Sequence, residues 1–171
     1  MHNVNSFINQ QVYLCCVEDL LSAEQVVSMR QWKHHFSATT YDHSLFVSYV
    51  AFRLAKRFDC DYRAVARTAL LHDLYLYDSH DSSSYTGNHC FDHPFAALRN
   101  ARALLEMNEK EENIIASHMW PLSRVMPHSK EALIVNLADK FCASLEVSYL
   151  SRLKRIRRWI PDTAAILPIV G

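Results

Sequence analysis

Apolar residues recur along most of the chain at three- and four-residue spacing, the pattern of helices that each bury one face. Over residues 17–36, Val17, Leu20, Leu21, Val27 and Met29 alternate with polar positions such as Glu24, and Ser22 interrupts them, which predicts one or two short helices. Thr39 and Thr40 precede the run Leu45, Phe46, Tyr49, Val50, Phe52, Leu54 and Phe58, with Arg53, Lys56 and Arg57 towards its end. A cap-type residue, an apolar stripe and a basic last turn predict a helix of about four turns. Asp61 is suited to cap the next one, whose run Val65, Ala66, Ala69, Leu70, Leu71 and Leu74 is apolar on too many sides for a surface helix. That helix is predicted to lie in the centre of a bundle.

Residues 78–92 are polar, short-chained and contain Gly87, which predicts a loop of a length that often carries function. Asp92, His93 and Pro94 read as the start of a helix running through Leu105, because proline is favoured at the first helical position. A short helix is predicted over 109–118 and stopped by Pro121. Ser129 caps a longer one containing Ala132, Val135, Leu137, Ala138, Phe141 and Leu145. No internal repeat or low-complexity tract interrupts this sequence of helices.

Composition strengthens the all-helical reading, since 171 residues include only 2 glycines and 5 prolines, the residues that hairpins and tight turns require. That length suits one domain, and with 50% hydrophobic and 21% charged residues the chain can bury a core. The 18 basic and 18 acidic residues cancel, so any affinity for phosphate must be local rather than a field that gathers nucleic acid or anionic lipid. Cys15, Cys16, Cys60, Cys90 and Cys142 are odd in number and lack a C-x-x-C spacing, as expected of free thiols in a reducing cytosol. The first ten residues have no basic-then-apolar leader, and no apolar stretch approaches about 18 residues, so a cytoplasmic location is expected. Arg152, Lys154, Arg155, Arg157 and Arg158 beside Trp159 read as a solvated helix face in preference to a phosphate site, and residues 161–171 as an apolar end draped over the bundle.

The 10 histidines change the picture, because neutral imidazole is the commonest protein ligand for transition metals. His43, His72 with Asp73, His93, His118 and Asp139 place a ligand-type group at or near the ends of successive predicted helices. Singly, each histidine is better read as a hydrogen-bonded core or helix-end residue. The grouping is what points to a metal. In Leu70-Leu71-His72-Asp73-Leu74 two polar groups interrupt the helix read as most buried. An unpartnered buried polar group costs about 1–3 kcal/mol and a carboxylate more, and a divalent cation satisfies imidazole and carboxylate together. The ~100° step between helical neighbours lets both side chains reach one cavity. Asp139 repeats the anomaly within Val135-Asn136-Leu137-Ala138-Asp139-Lys140-Phe141, and Lys140 is a poor ion-pair partner because adjacent helical residues do not face each other.

The order H…HD…H…H…D resembles the HD superfamily of metal-dependent phosphohydrolases over roughly residues 34–149. Tyr41-Asp42-His43-Ser44 is similar to the family's first histidine, Leu70-Leu71-His72-Asp73-Leu74 to its doublet, and Leu137-Ala138-Asp139-Lys140 to its closing aspartate. The resemblance implies an all-α, single-domain HD-type helical bundle over residues 1–171. It also implies that His43, His72, Asp73 and Asp139 bind one metal, while Asp73 bridges to a second held by His93 and His118. Either His89 or His93 can supply the third histidine, and the Asp-His-Pro setting favours His93. Leu74-Tyr75-Leu76-Tyr77-Asp78 stands where some members carry glycine and lysine, which points away from cyclic-dinucleotide cleavage.

Mixed nitrogen and carboxylate donors suit one or two divalent transition ions, whether iron, manganese, zinc, cobalt or nickel, better than calcium. The resemblance then implies hydrolysis of a phosphoester or phosphoanhydride, in a nucleotide, by metal-activated water. Catalytic candidates are Asp73, Asp78, His80 and Lys140, with Arg124 as a further polar group and Trp120 read as a core plug. The expected partner is a small phosphorylated molecule rather than a membrane or nucleic acid. Two other readings use the same ligands: a metal-stabilised phosphate or nucleotide sensor without turnover and, ranked lower, an HD-type di-iron oxygenase.

Overall fold

The computed structural model describes residues 2–34 and 38–147, so the basic stretch 152–158 and the apolar end 161–171 lie outside the described residues. Among the described residues the fold is all-α, with seven α-helices, one 3-10 turn and one isolated β-bridge. Helix α1 spans His2–Leu21, well before the start that periodicity suggests. Tyr13, Leu14, Cys16, Val17, Leu20 and Leu21 are buried at helical spacing, but Phe7 and Ile8 are exposed, so the earlier turns lack the apolar contrast that marks a helix in sequence. The Tyr13 hydroxyl donates to Ser48 Oγ at 2.9 Å, which donates to the Ala66 carbonyl at 2.6 Å, joining three segments through one buried relay. Arg67 forms a bidentate pair with Asp19 at 2.6 and 2.8 Å on the same side.

Helix α2, Glu24–Ser28, and the 3-10 turn Met29–Gln31 lead to an isolated antiparallel bridge between Lys33 and Thr39. Helix α3, Thr40–Arg57, starts where expected: Thr39 Oγ1 accepts from Asp42 N at 3.1 Å, and the Asp42 carboxylate accepts from Thr39 N at 3.2 Å. Helix α4, Tyr62–Leu71, is capped by Asp61, whose carboxylate accepts from Ala64 N at 3.0 Å. It stops at Leu71 rather than continuing through Leu74. Leu74 N bonds Leu71 O at 3.1 Å and Tyr75 N bonds Asp73 O at 2.8 Å, so the metal-type doublet occupies a tight turn instead of a helix interior.

Helix α5, His89–Arg102, begins one turn before the predicted Asp-His-Pro start and ends before Leu105. Asn88 is its cap, with its side chain accepting from Cys90 N at 3.0 Å while Asp92 Oδ2 accepts from Asn88 N at 2.7 Å. Gly87 permits this entry: its φ is +87°, and a Cβ there would collide with the Asp92 carboxylate. Pro94 therefore sits inside the helix rather than at its first position. Helix α6, Glu109–Ala116, has an Asn108–Glu111 capping box and ends two residues short of His118. Helix α7, Lys130–Val147, starts after Ser129, whose hydroxyl accepts from Ala132 N at 3.1 Å.

Helix α4 packs on α1, α3, α5, α6 and α7, the central position its composition predicts. Its Ala66, Leu70 and Leu71 join an apolar cluster with Tyr13, Met29, Phe52 and Ile115, while Val65 and Ala69 join Val47, Ile114, Val135 and Ala138. Leu70 is fully buried, so Leu70→Ala is expected to destabilise the protein by about 2–5 kcal/mol, read as a lowered denaturation midpoint at constant slope. The five cysteines form no disulfide. No helix among the described residues is long and apolar enough to cross a membrane.

Candidate metal centre

Helix ends place the histidines. His43 lies in the first turns of α3, His72 and Asp73 follow α4, His93 is in α5, His118 follows α6, and Asp139 faces them from the middle of α7. A helix leaves its last carbonyls without backbone donors. His72 Nδ1 bonds Ala69 O at 2.8 Å, and His118 Nδ1 bonds Ile115 O at 2.8 Å. His93 Nδ1 bonds His89 O at 2.8 Å. A carbonyl only accepts, so in all three rings Nδ1 carries a proton, and in the neutral form of each ring Nε2 is the nitrogen left to ligate. His43 Nδ1 is held by Glu146 Oε2 at 3.0 Å.

The Nε2 atoms converge on two carboxylates. Asp73 Oδ1 lies 3.4 Å from His93 Nε2 and 3.5 Å from His118 Nε2. Its other oxygen, Oδ2, lies 3.5 Å from His72 Nε2 and 4.0 Å from His43 Nε2. Asp139 Oδ1 is 3.0 Å from His43 Nε2 and 3.6 Å from His72 Nε2. The six predicted residues are thus gathered and buried.

Two of their polar atoms are left unsatisfied by one another. His72 Nε2 and Asp73 Oδ1 are buried without a hydrogen-bond partner, and His93 Nε2 faces His118 Nε2 at 2.8 Å. With both Nδ1 atoms bonded to carbonyls, the neutral forms of these two rings bring lone pairs together at Nε2, an arrangement that a cation between them satisfies. Three groups are compact enough to chelate a divalent metal ion: His34, His43 and Asp73; His43, His72 and Asp139; and His72, Asp73 and His118.

The electrostatics of Asp73, Asp139 and His118 fit this donor set. Burial works against charge on Asp73 and Asp139, yet the surrounding histidines hold both carboxylates well below their usual range. Burial, followed by the nearby charges of His72 and His93, pushes His118 down to about 3, which keeps its ring neutral as a ligand requires. His43 moves the other way, up to about 9: burial and the neighbouring His34 oppose its charge, and Asp139 and Glu146 outweigh them.

His93, not His89, faces Asp73. His89 lies one helical turn away, stacked on His93 with ring centroids 4.7 Å apart and Nδ1 3.0 Å from the Tyr77 hydroxyl. Lys140 turns to the backbone, Nζ donating to His118 O at 3.0 Å and Asn136 O at 3.4 Å, while Asn136 Nδ2 donates to the Ser117, His118 and Trp120 carbonyls. Together they clamp the turn that carries His118. Asp78 and His80 sit 3.6 Å apart on an exposed turn, and among the described residues no hydrogen bond or ion pair joins them to the cluster. Arg124 is exposed and Trp120 only partly buried.

Two members of the cluster escape sequence reasoning. Glu146, two helical turns beyond Asp139 on the same face of α7, had a signal in that seven-residue spacing. His34 had none, because it lies beside the Lys33–Thr39 bridge ahead of α3 rather than in a periodic element.

An all-α bundle that converges buried histidines and aspartates from five segments on one point defines a metal-dependent hydrolase. The HD domain family model matches residues 40–144, and the chain belongs to the HD domain family. With its clustered His and Asp residues it is a metal-dependent phosphohydrolase. Neither the curated proteins nor the solved structures gave a significant match.

Proposed function

We propose that the protein hydrolyses a phosphoester or phosphoanhydride bond of a nucleotide at a two-metal centre. His43, His72, Asp73 and Asp139 hold one ion, and Asp73, His93 and His118 hold the other. The observation that carries this reading is the division of Asp73: Oδ2 faces His43 and His72, and Oδ1 faces His93 and His118. One carboxylate serves two donor groups and offsets charge on both. When bound, such ions lower the pKa of water and screen the substrate phosphate.

The residues supply preorganisation. Fixed Nδ1 bonds keep the imidazoles in the ligating tautomer, and the Asn136 and Lys140 clamp keeps His118 aimed at Asp73. A nucleotide is favoured over a smaller ester by a cavity of about 590 Å³ lined by Tyr75, Tyr77, Tyr85 and Phe95 with Asp92 and Arg99. That volume lies in the range of ligand sites, aromatic faces suit a base, and the Tyr75 ring is 5.8 Å from His93.

The test is turnover of a nucleotide panel, with simple phosphate esters alongside, by protein reconstituted with manganese, iron, cobalt, nickel or zinc under anaerobic conditions. Oxygen-independent release of phosphate or a nucleoside phosphate is expected. Binding of metal and nucleotide without turnover would instead make the protein a sensor, and oxygen consumption tied to an organic substrate would make it an oxygenase.

A further inference from the structure

His34 lies outside both the six-residue pattern and the residues matched by the family model, yet it enters the centre as a near copy of His43. The two rings stack with centroids 4.0 Å apart and planes inclined by 18°. Both are bracketed by the same pair of oxygens. Glu146 Oε2 lies 3.7 Å from His34 Nδ1 and 3.0 Å from His43 Nδ1. Asp73 Oδ2 lies 3.3 Å from His34 Nε2 and 4.0 Å from His43 Nε2. A carboxylate behind Nδ1 with Nε2 turned to the donor cluster is the arrangement that orients a metal-bound histidine.

The backbone holds this placement. His34 N donates to Ala38 O at 3.0 Å, and Thr40 N donates to Trp32 O at 2.9 Å, so His34 is tied to the start of α3. His34, His43 and Asp73 are themselves a compact chelating group.

We infer that His34 is a fifth protein ligand, through Nε2, to the ion held by His43, His72, Asp73 and Asp139. This rests on the two-metal reading above. It would make the centre unequal: five protein donors would hold one ion, and Asp73, His93 and His118 would hold the other, leaving that ion more room for a substrate phosphate.

Two measurements test it on the full chain. X-ray absorption of wild-type protein holding one equivalent of zinc is expected to count three imidazoles on the ion, and two would overturn the assignment. His34→Phe keeps a ring on His43 but removes both donors, so competition against a chromophoric chelator is expected to show the tighter ion bound at least about tenfold more weakly. Unchanged affinity in a folded variant overturns the assignment, and if the variant does not fold the imidazole count decides alone. Wild-type protein that binds two ions with only two imidazoles on the tighter one overturns His34 and leaves the centre standing. Wild-type protein that binds no ion overturns both.

Discussion

Asp73→Ala is expected to bring bound metal from two ions to less than one and to lower turnover by about a thousandfold or more. The reason is positional. Asp139 approaches only His43 and His72, whereas Asp73 presents one oxygen to that side and the other to His93 and His118. Removing it leaves imidazoles converging on a cavity with less negative charge to offset a dication. His118→Ala, by contrast, is expected to release one ion and retain the other, because it touches a single oxygen of Asp73. Elemental analysis of both variants beside wild-type protein, with circular dichroism to confirm folding, checks the pair. Full metal content in Asp73→Ala would remove that residue from the centre.

Stripping the metal with a chelator should abolish turnover, and a divalent transition ion should restore it. Loaded protein is also expected to be more stable by about 4 kcal/mol when free ion stands 1,000-fold above its dissociation constant. The effect is pH-dependent, with a sign set by His43. In the metal-free protein burial and His34 oppose its charge, but Asp139 and Glu146 raise it to about 9, so at neutral pH the ring carries a proton that an ion must displace. That raised value stabilises the metal-free fold fully below about pH 6.5 and is lost as pH rises through about 9. Metal affinity runs the opposite way, climbing from pH 7 to 9 as the competing proton leaves. The gap in melting temperature between loaded and metal-free protein should therefore widen over that interval, and a gap that stays level would exclude His43 as a ligand that must lose a proton.

The local elements were legible wherever a cap and an apolar stripe coincide. Thr39, Asp61 and Ser129 cap the helices they were expected to cap, and the many-sided apolar face of α4 does sit at the centre. The doublet and Asp139 were legible for a different reason, since polar groups in apolar surroundings demand a partner. The start of α1 was hidden because exposed Phe7 and Ile8 blur its face. The start of α5 was misplaced because the Asn88 cap and Gly87 outweigh the positional preference of Pro94.

By itself the sequence determined an all-helical chain, six ligand-type residues in a recognisable order and a charge balance with no general pull on phosphate. Only the tertiary structure put His93 rather than His89 against Asp73, turned Lys140 to the His118 backbone, and brought Glu146 and His34 into the cluster. Periodicity reports which residues share a face of one helix, whereas His43 and Asp139, 96 residues apart, meet at 3.0 Å only because α3 packs against α7 beside α4. Ligand geometry across segments is a property of that packing, and no single stretch of chain encodes it.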